Sequence, residues 1–158
     1  MNFLTEHGIG SYEELESRLT AVPARRDTAH TEIKRIENRA AELALVMKHA
    51  GTYRQLKPLY DRYRKSNDKE KFLRGHESEI ILFEAAAREL KRLGTVPLPT
   101  TESMKTELAN LNAEKERLLA EYKAARAEAQ EYETVKQNVD ALLTVAKEQE
   151  QQRRHELE

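Results

Sequence analysis

Apolar residues return along most of this chain at alternating intervals of three and four, the spacing that lines one face of an α-helix. In the first run Leu15, Leu19 and Val22 share a face. Ser11 stands before it as an N-cap, and Glu14 is placed to close a capping box. Pro23 then stops this helix, kinks it, or opens a new one. The second run is Ile33, Ile36, Ala40, Leu43, Met47 and Ala50, with Glu32, Lys34, Arg35, Glu37 and Arg39 between them, and it reads as a coiled-coil seam with a charged outer face. Gly51 and Pro58 disturb the pattern, and the stripe shifts phase as it passes into Tyr53, Leu56, Tyr60 and Tyr63. A bend or a turn is expected there.

Ser66-Asn67-Asp68 is the polar break in the middle, where Asn67 and Glu70 offer a second capping box. The helix that follows carries Leu73, His76, Ile80, Phe83, Ala87 and Leu90 on one stripe, and Gly94 takes the place of a C-cap glycine after Lys91 and Arg92. Pro97 and Pro99 exclude helix from the loop up to Thr100. Thr100 or Thr101 caps the last helix, whose repeat is the longest: Met104, Leu108, Leu111, Lys115, Leu118, Tyr122, Ala125, Ala129, Tyr132, Lys136, Val139, Leu143 and Ala146. The two lysines on this seam lower its stability and set its register, or mark where the helix leaves one partner for another.

The pattern predicts an all-α fold, an elongated helical bundle or antiparallel coiled coil with a long C-terminal helix. A single helical domain over 1–158 is expected, with helices at about 12–22, 24–50, 52–65, 68–93 and 101–150. Two topologies compete. If Gly51 is a turn, four helices run up and down and the last lies antiparallel to the Ala24 to Ala50 helix. If the chain continues through Gly51 to Lys65, three helices result and the far half of the last is left for a second molecule.

Composition narrows the functional classes. Only 39% of the 158 residues are hydrophobic and 6% aromatic, so burial is expected along seams rather than in a thick core. The net charge of −1 supplies no global attraction to nucleic acid or anionic lipid. There is no cysteine, hence no disulfide, thiolate metal site or cysteine nucleophile, in keeping with a cytoplasmic setting. The run Ile80-Ile81-Leu82-Phe83 falls far short of the roughly 20 apolar residues that span a bilayer. Met1 to His7 lacks the pattern of a secretory signal and reads as a helix fragment of something longer.

Candidate chemistry is sparse. His7, His30, His49, His76 and His155 lie too far apart for a helical metal pair, and His76 is expected on the seam, bonded to a carbonyl or a carboxylate. No phosphate-binding glycine loop occurs, because Gly8-Ile9-Gly10 has no preceding strand. One segment departs from charge balance: Thr52 to Gly75 holds Arg54, Lys57, Arg62, Arg64, Lys65, Lys69, Lys71 and Arg74 against Asp61, Asp68 and Glu70, a net +5. These bases, with Tyr53, Tyr60, Tyr63 and Phe72, could hold a phosphate backbone and stack an unpaired base. The same rings lie on the stripe of Leu56, so core packing is the stronger expectation for them, with the bases solvating the outside.

Three stretches together resemble the region that follows the nuclease domain in relaxase/mobilisation proteins of bacterial mobile elements. They are Asn2 to Leu15, reading NFLTEHGIGSYEEL; Tyr53 to Leu90, with YDRYRK from Tyr60, KFL from Lys71 and HESEIIL from His76; and Leu98-Pro99-Thr100 leading to EYKAAR from Glu121 and VKQNVD from Val135. Their order and spacing cover nearly the whole chain. The resemblance implies a parent protein that nicks one DNA strand at an origin of transfer and stays attached to it. The tyrosine nucleophile and histidine-held metal of that family lie in the preceding domain, and nothing here matches them. The chain is therefore expected to be a non-catalytic helical accessory domain, excised from downstream of the nuclease domain, with no cofactor, metal, small-molecule ligand or membrane contact. Its expected partners are proteins of the transfer complex and a second copy of itself, met through Ile33, Ile36, Leu43, Met47, Leu108, Leu111, Leu118, Tyr122, Tyr132, Val139 and Leu143. The alternative is weak, non-specific binding of single-stranded DNA by the basic segment 52–75.

Overall fold

The computed structural model describes residues 10–95 and 97–157. The expectations for Met1 to Ile9, including the first part of the NFLTEHGIG stretch, fall outside the described residues. Within them the chain forms α1 (Tyr12–Lys65), α2 (Lys69–Arg92) and α3 (Thr101–Leu157), with no strand. The fold is an all-α helical bundle.

α1 begins as its sequence predicts. Ser11 Oγ accepts from the Glu14 amide at 3.2 Å, and Glu14 Oε2 accepts from the Gly10 amide at 2.8 Å, a reciprocal cap closed one residue earlier than the usual box. The breaks expected at Pro23 and Gly51 do not occur, so the segments 12–22, 24–50 and 52–65 are one helix. Proline within a helix costs about 3 kcal/mol and glycine about 1 kcal/mol, and burial on either side offsets them. Val22 and Ala29 flank Pro23 at 4% and 3% exposure, and Ala50 precedes Gly51 at 1%. The three-helix arrangement is the one realised.

Asp68, not Asn67, caps α2, since its Oδ1 accepts from the Lys71 amide at 3.1 Å. This shift reflects which side chain reaches the open amides once Ser66 Oγ has accepted the Asp68 amide at 3.3 Å. α2 is not uniform: His76 has φ −136° and ψ 26°, a kink next to Gly75 that the apolar stripe does not disclose. Gly94 closes the helix at φ +71°, with its amide donating to Lys91 O and the Thr95 amide to Leu90 O, the paired bonds of a Schellman motif. Thr100 caps α3 through its Oγ1, which accepts from Ser103 N at 3.1 Å.

The chain divides into two compact units. One consists of α1 up to Ile33 and α3 from Glu116 onward, paired antiparallel: Tyr12 meets Asp140, and Arg25 meets Glu128. Leu15, Val22, Ala129 and Tyr132 form its core, with Leu19, Val135 and Val139 packed against them. Small alanines at Ala125 (0%) and Ala129 (8%) let the backbones approach.

The other unit comprises α1 from Lys34, all of α2, and α3 as far as Lys115. Here α3 again runs antiparallel to α1, fixed by Arg35 to Glu114, Glu37 to Lys115 and Arg39 to Glu107. α2 folds back on α1 after the turn at Ser66 to Asp68, bringing Phe72 to Tyr63 and Phe83 to Tyr60 and Tyr53. α2 and α3 are therefore parallel to one another, which requires the proline-containing loop to travel back along α1. Arg54 secures its end, donating to Thr101 Oγ1 at 2.9 Å and to the Pro99 carbonyl. Ile36, Leu43, Val46 and Ala50 from α1, Ile80, Phe83, Ala86 and Leu90 from α2, and Met104 and Leu111 from α3 are buried.

Candidate interaction surfaces

Most of the expected seam residues are interior. Ile33, Ile36, Leu43, Leu111, Leu118 and Tyr132 are buried, and Leu108, Tyr122 and Val139 are half-buried. Two depart from expectation. Val46 takes the interior place assigned to Met47, which is half-buried: Leu43 to Ala50 can be bridged at helical spacing through either residue, and the packing of α1 against its neighbours selects Val46. Leu143 is 48% exposed, since α1 begins at Tyr12, whose hydroxyl reaches Asp140, and no described helix lies beyond that point. From Ala141 to Leu157 every residue of α3 is exposed, including Leu142, Leu143 and Val145. Among the described residues the stretch with no opposing helix is thus shorter than the far half of α3.

Along the seams the flanking charges pair across helices. Arg39 donates to both Glu107 oxygens at 2.7 and 3.2 Å, and these bonds with Glu107 raise the guanidinium pKa further. Tyr12 donates to Asp140 Oδ1 at 2.7 Å, and this hydrogen bond to a carboxylate is the main reason its pKa is pushed up to about 12. Arg92 holds the Glu89 carboxyl below its usual range.

The basic segment is partly absorbed by structure. Arg54 holds the loop, Lys57 pairs with Asp61 one turn on at 3.2 Å, and the Arg62 guanidinium lies 5.8 Å from the Phe72 ring centre. Arg64, Lys65, Lys69, Lys71 and Arg74 are exposed. The rings pack as the stripe predicts. Phe83 stacks between Tyr53 and Tyr60 at centroid distances of 4.8 and 4.3 Å, and the chain of contacts continues through Tyr63 and Phe72 to His76. His76 also lies 3.8 Å from a Glu79 carboxylate oxygen.

Between α1 and α2, Tyr53, Tyr60 and Phe83 of this row line an open groove of about 390 Å³. Lys57, Asp61 and Arg64 border it from α1, and Glu84, Arg88 and Lys91 from α2. Arg88 and Lys91 lie outside the segment singled out by charge. Arg88 follows Glu84, and Lys91 follows Ala87, by one helical turn along α2, and that spacing is the signal that could have placed them on this face.

Among the described residues no three histidine, aspartate or glutamate side chains come together as a metal cluster, and no helix is long and apolar enough to cross a membrane. Comparison with protein-family models, curated proteins and solved structures finds no match to this chain.

Proposed function

We propose that this chain is a non-catalytic helical interaction arm of a relaxase-type DNA mobilisation protein, joining copies of the parent or its partners in a bacterial transfer complex. The observation that carries the interaction role is the exposed end of α3. Upstream, its Ala125, Ala129, Tyr132 and Val139 stripe is covered by α1; downstream, Leu142 and Leu143 continue the stripe uncovered at 70% and 48% exposure. Exposed leucines of this kind, beyond the start of α1 among the described residues, favour association. The relaxase context rests on the similarity of the three stretches beginning at Asn2, Tyr53 and Leu98.

Sedimentation equilibrium over a concentration series tests the arm. The chain is expected to self-associate, and Leu142→Glu with Leu143→Glu to return it to monomer without loss of helix. A monomer at every concentration removes self-association from the reading. Deleting this region from its parent should lower strand transfer and leave nicking intact; loss of nicking would contradict a purely accessory role.

A further inference from the structure

We infer that the groove between α1 and α2 binds single-stranded nucleic acid, with Arg64, Arg88 and Lys91 on its phosphates and the rings of Tyr53 and Tyr60 beside an unpaired base. This contact surface is assembled from two helices and differs from the linear basic run, whose Arg54 and Lys57 are already engaged.

Three features of the groove support it. Asp61 is matched by Lys57 within one turn, so that Arg64, Arg88 and Lys91 stand against one further carboxylate, Glu84, in the lining of the groove, while Glu89 beside Arg88 is held mainly by Arg92. None of these three cations forms an ion pair among the described residues, whereas Arg92, one turn beyond Arg88, is held by Glu89 at 2.8 Å. Phosphodiesters supply the missing anions, and arginine suits them because its planar fork can donate two parallel bonds.

The second feature is the aromatic lining. Tyr53 and Tyr60 are half-buried and fixed by their stacking on Phe83, so they present pre-ordered rings at little further entropic cost. Their hydroxyls make no hydrogen bond within the described residues, and each can donate to a phosphate or base oxygen. A paired base in a duplex has its faces covered by its neighbours, so only an unpaired base can meet such a ring. The third feature is size, since about 390 Å³ lies within the range of small-ligand sites and accommodates a nucleotide unit while leaving the strand free to enter and leave.

Fluorescence anisotropy of a labelled oligothymidylate, titrated over a series of salt concentrations, decides the matter. Three phosphate contacts predict that log K falls against log salt with a slope of about −2, at roughly 0.7 per contact. Arg88→Gln with Lys91→Gln should reduce that slope by about 1.4 and weaken binding severalfold at low salt. Lys105→Gln with Lys123→Gln, an equal loss of charge at exposed residues that do not line the groove, should change neither. The inference is overturned if the wild-type chain does not bind at low salt, or if duplex DNA binds as tightly as the single strand. Loss of binding on Lys69→Gln with Lys71→Gln but not on Arg88→Gln with Lys91→Gln would also overturn it, returning the contact to the linear basic run. Stronger binding of polyglutamate than of the oligonucleotide would assign the groove to acidic peptides instead. Sedimentation tests the exposed end of α3 independently, so either reading can fail alone.

Discussion

Leu118 and Leu119 are adjacent on α3 and differ mainly in the direction each faces, about 100° apart around the helix. Leu118 is 6% exposed and Leu119 is 43% exposed. Replacing either by alanine changes helix propensity by the same small amount, so that contribution cancels between them. At Leu118 the substitution removes buried methyl groups and leaves a cavity, for which leucine-to-alanine changes cost about 2–5 kcal/mol. At Leu119 solvent fills the space and no cavity forms, so the loss is about 1 kcal/mol or less. The expected difference is about 1–4 kcal/mol, which for a chain of this length separates the melting temperatures by about 2–4 °C for each kcal/mol. Thermal unfolding followed by circular dichroism at the helical minimum measures it. Equal shifts for the two variants, or a larger shift for Leu119→Ala, would mean that the seam of α3 is rotated from the position described.

The remaining expectations probe backbone, charge and pH. Gly94→Ala should destabilise by about 1–2 kcal/mol because alanine resists φ +71°, whereas Gly51→Ala, in mid-helix with open space around it, should stabilise by about 1 kcal/mol; chemical denaturation that ranks them the other way would contradict the glycine roles. A double-mutant cycle of Arg39→Ala and Glu107→Ala should give a coupling of only about 0.5–1 kcal/mol, falling with salt, because both side chains are about 40% exposed; a salt-independent coupling of several kcal/mol would refute this. Tyr12 is stabilised as the neutral phenol, so the contribution of its bond to Asp140 is present below pH 10 and lost as pH rises from 10 toward about 12. Ultraviolet titration should show a late-ionising phenol that is absent in Tyr12→Phe and returned toward 10 in Asp140→Asn; an unchanged curve in Tyr12→Phe would disprove the assignment.

The helical class, the faces of the long helices and the caps at Ser11, Gly94 and Thr100 are legible in the sequence, because each depends on residues within a turn or two of one another. Ile36, Leu43 and Leu118 are interior for the same reason, a periodicity that any partner would bury. Continuity through Pro23, Gly51 and Pro58 is not local. Their intrinsic preference is to break a helix, and only the burial of neighbours against other segments overrides it. The kink at His76 and the shift from Met47 to Val46 likewise depend on how the helices meet. The candidate groove divides in the same way. Its aromatic stripe and the excess of positive charge on α1 can be read along the chain, but Arg88 and Lys91 join them only because α2 folds back on α1, and Arg54 leaves them because the parallel course of α2 and α3 brings Pro99 and Thr101 to its guanidinium. Leu143 completes the contrast: its spacing marks it as a seam residue, and its exposure depends on where the opposing helix begins.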